Sequence, residues 1–231
     1  MNNPNSSLEL SHFPVMLEEV IKICSPDKGG VFIDCTFGGG GYSSSLLKFS
    51  KTNVIAFDRD QFILKMAKKL EKKYLNRFFF HQKKFSEIDT IVKISSADVV
   101  IFDLGLSSIQ LNNLERGFSF KSTEKLDMSM GLTNISAEEV VNNYSEQKLK
   151  LIIKILGEEK DAFRIAKNII KTRLVKKITK VNHLVDIIEK SKKKDYKSKI
   201  NPSTKTFQAL RIFVNKEISE LIQGLISAAK V

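Results

Sequence analysis

Three features of the 231-residue sequence predict an α/β fold: a mostly parallel sheet covered on both faces, followed by an all-helical segment. Short apolar, β-branched runs alternate with helical patterns through the first half. Two of these runs end in an acid, at Asp58 and Asp103, and four glycines follow the first run, which carries Asp34. Open α/β sheets bind ligands at the carboxyl ends of their strands, which is where these residues would lie. From Ser136 onward the periodicity is helical, with no convincing strand.

The elements follow in order. Met1 to Ser11 reads as a loose polar tail. A first helix begins around Pro14, with Leu17, Val20, Ile21 and Cys24 on one face, and Pro26 to Gly30 breaks it. Val31–Thr36 is strand one, Gly38–Gly41 a turn and Tyr42–Phe49 a helix. Val54–Asp58 is strand two. Gln61–Tyr74 is an amphipathic helix with Phe62, Met66 and Leu70 on one side. Phe78–Phe80 is strand three, Ile88–Ile94 a short helix and Asp98–Asp103 strand four. Ser136-Ala137-Glu138-Glu139 has the pattern of a capping box. Further helices fit 146–156, 160–174, 181–190 and 206–229, with a basic loop or frayed end at 192–199.

Hydrophobic residues make up 42%, enough for a sizeable core and too many for a wholly disordered chain. Two cysteines cannot supply a disulfide framework or a four-cysteine zinc site. No apolar run reaches the roughly 18 residues of a membrane span, and the N-terminus lacks a signal-peptide core. A cytoplasmic protein without membrane association is expected. The formal net charge is +12, and its distribution is uneven. Residues 148–205 carry 18 basic and 6 acidic side chains, whereas the rest of the chain is balanced. Such a localised surplus suits a polyanion such as nucleic acid, although a solvated lysine-rich helix face needs no partner.

The glycines after strand one permit a tight turn and close approach of backbone to a ligand. Asp58, about 20 residues on, stands where dinucleotide-type folds place the acid that binds ribose hydroxyls. No Walker lysine follows the glycines, so phosphate transfer lacks support. Asp103 ends the strand expected beside strand one, and Ser107, Ser108 and Gln110 add neutral donors and acceptors. Ordinary loop caps would also use these residue types. Arg116-Gly117-Phe118-Ser119-Phe120 could stack a flipped base, or could pack a long loop into the core. His12, His81 and His183 lack metal-type spacing, so no metal is implied. No Gly-x-Ser-x-Gly elbow occurs, and neither cysteine has an obvious activating base. These residues alone leave a nicotinamide-dependent oxidoreductase and a non-catalytic RNA-binding protein open.

A longer series of motifs goes further. His12-Phe13-Pro14-Val15, Asp34-x-Thr36-x-Gly38-x-Gly40-Gly41, Asp58-Arg59-Asp60 and Asp103-Leu104-Gly105-x-Ser107-Ser108-x-Gln110 occur in order. Glu115-Arg116-Gly117-Phe118-Ser119-Phe120, Leu126-Asp127-Met128, Gly157-Glu158-Glu159 and Thr204-x-Thr206-Phe207-Gln208-Ala209-Leu210-Arg211 follow. The series resembles the bacterial ribosomal RNA small-subunit methyltransferase H family, also called MraW. That resemblance implies a Rossmann-like class I methyltransferase domain with an inserted helical domain. The implied limits are 1–135, 136–203 and 204–231. It implies methyl transfer from S-adenosylmethionine to N4 of a cytidine in the decoding region of small-subunit ribosomal RNA.

Carried over, Gly40, Gly41 and Tyr42 would meet the methionine part of the cofactor. Asp58 would hold the ribose, Phe85 would lie by the adenine, and Asp103 and Gln110 would complete the pocket. Asp103 with Ser107 or Ser108 would be catalytic. The chain departs from the family pattern at Tyr42, where histidine is usual, and at Ser129 and Gly131, where arginine and aspartate are usual. A further Pro-Gly-Gly turn and strand are also expected in the family and do not occur. The sheet would then lack strands, leaving the fourth as an apolar edge.

Overall fold

The computed structural model describes residues 14–192 and 200–231. The polar tail, His12, Phe13 and residues 193–199 of the basic loop lie outside the described residues. The chain forms two compact units, residues 1–108 with 223–231, and residues 109–222. These limits differ from the expected 135/136 and 203/204. The loops of 114–135 are tied to the helices that follow: Leu126 N–H donates to the Thr179 carbonyl, and Met130 N–H to Asn215 Oδ1.

The first unit begins with α1 (Leu17–Cys24) and continues through β1 (Gly30–Asp34), α2 (Gly41–Leu46) and β2 (Thr52–Phe57). A 3-10 turn at Gln61–Ile63 leads into α3 (Leu64–Lys73), followed by β3 (Phe78–His81). A second 3-10 stretch, Phe85–Thr90, precedes β4 (Val99–Ile101). All pairings are parallel, in the order β3-β2-β1-β4. Asp34 pairs with Ala56 on one side and Ile101 on the other, so three strands reach their carboxyl ends together.

Phe32, Ile33, Val54, Ala56 and Phe57 are at most 1% exposed, because the central strands are covered on both faces. Each large side chain so buried contributes about 1.5–3 kcal/mol. One face is closed by Ile88, Val92 and Val231, with Val100 and Phe102 of the β4 region packed against them. The N–H groups of Ser96 and Ala97 donate to the Val231 carbonyl. The expected Ile88–Ile94 helix is instead the 3-10 stretch ending at Thr90. The apolar face of α3 also differs from expectation: Ile63 and Ala67 are buried, and Phe62 and Met66 are exposed.

α4 (Ser108–Asn112) carries the chain into the second unit. There, α5 (Ala137–Asn143), α6 (Glu146–Leu156), α7 (Ala162–Val175), α8 (Val181–Ser191) and α9 (Thr204–Val214) pack around Leu149, Ile153, Ile165, Ile169, Leu184 and Leu210. The capping box of α5 forms as expected. Glu139 N–H donates to Ser136 Oγ at 3.2 Å, and Ser136 N–H to the Glu139 carboxylate at 2.7 Å.

The single long helix expected over 206–229 is two, α9 and α10 (Glu217–Ala228). Lys216 adopts φ 53, which a helix interior excludes. Asn215 is fully buried, and its side chain bonds Met128 O, Met130 N–H and Arg211 O. Among the described residues, no helix is long and apolar enough to cross a membrane.

Candidate functional site

The glycine turn begins where β1 ends. Phe37 N–H donates to the Phe57 carbonyl at 3.0 Å, which holds the turn against β2. Gly38 has φ 49 and Gly40 φ 75, conformations that side chains rarely tolerate. At Gly40 a methyl group would lie 2.8 Å from Cζ of the Phe37 ring, so the position has no room for one. At Gly38 the nearest atoms to such a methyl would be 3.8 Å away, Ser107 Cβ among them. The loop after β4 therefore runs beside the glycine turn, with Ser107 next to Gly38.

Three acids meet this turn. Asp58, just past β2, accepts hydrogen bonds from Gly38 N–H at 2.8 Å and Asp60 N–H at 2.9 Å. Its half-buried carboxyl is pushed up to about 6, chiefly by burial, with those two bonds opposing the rise. Asp34 is fully buried and takes no part in the open site. It accepts from Ser43 Oγ at 2.6 Å and Thr36 N–H at 3.2 Å, and burial raises its pKa. Asp103 is half-buried beyond β4, and its N–H donates to Thr36 Oγ1 at 2.8 Å. Thr36 thus links the ends of β1 and β4.

Tyr42 is the second residue of α2. It is buried, and its hydroxyl donates to the Val15 carbonyl, pinning the segment before α1. Burial raises its pKa, and Asp103 and Asp34 add to the rise, so all three belong to one electrostatic cluster. Phe85 stands edge-on to Phe102, 5.4 Å between centroids, and a methyl at Gly224 would clash with its ring. Ser107 and Ser108 lie in the loop and first turn after β4. Gln110 is buried in α4 and belongs to the second unit.

Sequence reasoning gave Asp34 and Thr36 no individual role, although both stand in the quoted motif. Serine and threonine near a buried acid were the available signal. His81 was also passed over. It ends β3, stacks on Phe57 at 5.4 Å, and burial lowers its pKa.

In the second unit, Arg116 is buried, donates to the Ser129 carbonyl at 2.7 Å and lies over the Phe118 ring at 5.2 Å. Phe118 is itself buried, and Phe120 meets Phe207 edge-on. This aromatic–arginine motif packs its own unit. Lys192 of the basic segment is paired with the buried Glu159 at 2.7 Å. The motif Gly157-Glu158-Glu159 gains a structural reason from this pair and from Gly157, where a side chain would collide with the Lys205 carbonyl.

Comparison with known proteins places this geometry in context. A family profile described as the MraW methylase family matches residues 9–231. A protein of Rickettsia massiliae (strain Mtu5), named ribosomal RNA small subunit methyltransferase H, is 41% identical over 221 residues. That match covers 96% of this chain and 72% of the relative. A protein of the same name from Ehrlichia ruminantium (strain Welgevonden) is 40% identical over 225 residues, covering 95% and 75%.

Proposed function

From the premise that the chain belongs to the MraW methylase family, we propose that it methylates N4 of a cytidine in the decoding region of small-subunit ribosomal RNA. The methyl donor of this family's reaction is S-adenosylmethionine. The observation that carries the reading is the convergence of the glycine turn, Asp58 and Asp103 at neighbouring carboxyl strand ends.

The residues fit that donor. Asp58 spends one lone pair of each oxygen on backbone N–H groups and keeps others for a ribose diol. At Gly38 an added methyl would meet Ser107 Cβ and the Thr36 carbonyl only at ordinary contact distance, so the turn has room there. Gly40, Gly41 and Tyr42 would border the methionine part, and Phe85 the adenine. The bound donor supplies a methyl group already activated by its positive sulfur.

The cytosine amine is a weak nucleophile, because its lone pair is delocalised into the ring. Positioning therefore supplies much of the catalysis. Asp103, with Ser107 or Ser108, accepts a hydrogen bond from the amine and aims its lone pair. The proton released after transfer passes to Asp103 or to water. No cysteine adduct is needed, and buried Cys35, its thiol pushed up by burial, is unsuited to form one.

The test is to incubate the chain with labelled S-adenosylmethionine and small subunits lacking the modification. Label in small-subunit RNA, lost in Asp103→Ala, supports the reading. No label with correctly bound cofactor would reject it.

A further inference from the structure

α7 begins with an aromatic residue that packing does not explain. Phe163 is 50% exposed, while the neighbouring Ala162, Ile165 and Ala166 are buried. Leaving half a phenyl ring in water forfeits hydrophobic stabilisation that burial would have supplied. Two ammonium groups lie over the ring: Lys150 Nζ of α6 at 5.8 Å from its centroid and Lys167 Nζ of α7 at 5.9 Å. Both lysines are exposed, and among the described residues neither makes a salt bridge. Lys154 and Lys171, one turn further along each helix, are exposed as well. α7 contains no acidic residue, and the only acid of α6 is Glu146 at its start.

We propose that Phe163, framed by Lys150 and Lys167, is a stacking platform for an unpaired nucleotide of the RNA substrate. Once these flexible side chains swing outward, the ring offers a face to a base, and the lysines offer countercharges to the phosphates on either side. This is the combination by which single-stranded nucleic acid is held without reading its sequence. A protein partner is the poorer match, because lysine is depleted from protein–protein interfaces. Asp161 pairs with Arg164 at the start of α7, and Ile152, Ile153 and Ile165 of the same two helices are buried. The platform rests on the RNA-methyltransferase reading and adds a binding site within the helical unit to it.

The chain contains no tryptophan, so Phe163→Trp in the full chain places a single reporter on the platform. An unstructured RNA oligomer should quench its fluorescence saturably, and inorganic polyphosphate of equal charge should not. Phe163→Ala should weaken binding of the same oligomer about tenfold, the scale of one lost base stack. Lys150→Gln with Lys167→Gln should lower the salt slope of binding by about one to two.

Equal quenching by polyphosphate would overturn the platform, as would unchanged RNA affinity in Phe163→Ala. Quenching by poly-glutamate and not by RNA would assign the surface to a protein and likewise overturn it. If the unaltered chain methylates small subunits while the reporter stays silent, the platform fails and the reading of function stands. If it binds cofactor and RNA but methylates nothing, the reading of function fails separately.

Discussion

Asp58 holds the glycine turn and, in the proposed function, would also hold the ligand. Its two backbone bonds hold the glycine turn, and its raised pKa records the cost of burying its charge. The ordinary value is 3.8 and the folded value about 6, so the folded chain holds more protons than the unfolded one in that window. Stability of the ligand-free chain should therefore fall as pH rises from 3.8 to about 6, as chemical denaturation at stepped pH would show. Cofactor affinity should run the other way. A ribose diol and a cationic sulfur both favour the ionised carboxylate, so affinity should reach its plateau above about 6 and weaken below it. Calorimetry of S-adenosylmethionine binding should also show Asp58→Ala weaker by about 1.5–3 kcal/mol, the worth of hydrogen bonds to a charged group. Equal affinities would remove Asp58 from the ribose site. The position of Asp58 was legible because strand and glycine turn fix it in sequence. The joint of Thr36 Oγ1 with Asp103 N–H was not, since it joins residues 67 apart through a hydroxyl that has many other possible partners.

At the level of elements, local pattern succeeded where a helix has its own stop signal and failed where tertiary contacts supply it. The pattern predicts a helix over 146–156, and α6 spans those residues, capped by Ser145 and ended at Gly157. The break between α9 and α10 was missed, because the sequence there has helical periodicity throughout. Asn215 makes the break by bonding to Met128 and Met130, far away in sequence. Asn215→Ala would leave two buried backbone groups unsatisfied and should lower stability by about 2–4 kcal/mol in urea unfolding. Lys216→Gly should raise it by about 0.5–1 kcal/mol, since glycine adopts φ 53 without strain. The apolar side of α3 lies one residue on from the expected one: Ile63 and Ala67 face inward in place of Phe62 and Met66. Lys192→Glu would set a second carboxylate beside buried Glu159 and should destabilise the helical unit, visible as a lower melting temperature. Lys192 is therefore no clean probe of RNA binding, unlike the lysines around Phe163.

For the molecule as a whole, the parallel pairing of the sheet and the change from α/β to helical structure were both legible. Alternation of strand and helix dictates the first, and the basic surplus with helical periodicity marks the second. The division at residues 108/109 was not legible, because the loops of 114–135 carry no periodic pattern and owe their place to hydrogen bonds with distant helices. The proposed chemistry depends on glycines and acids at strand ends, which the sequence displays. The platform at Phe163 was hidden, since exposure of a phenylalanine cannot be read from its spacing. The central claim concerns one atom of one nucleotide, and nucleoside mass spectrometry reads it directly. Small-subunit RNA lacking the modification is reacted with the purified chain and S-adenosylmethionine, digested and resolved. The account predicts one new nucleoside, cytidine methylated at N4, mapping to the decoding region and absent with Asp58→Ala at limiting cofactor. A methyl group on a ring carbon, on a ribose oxygen or on another base would contradict it.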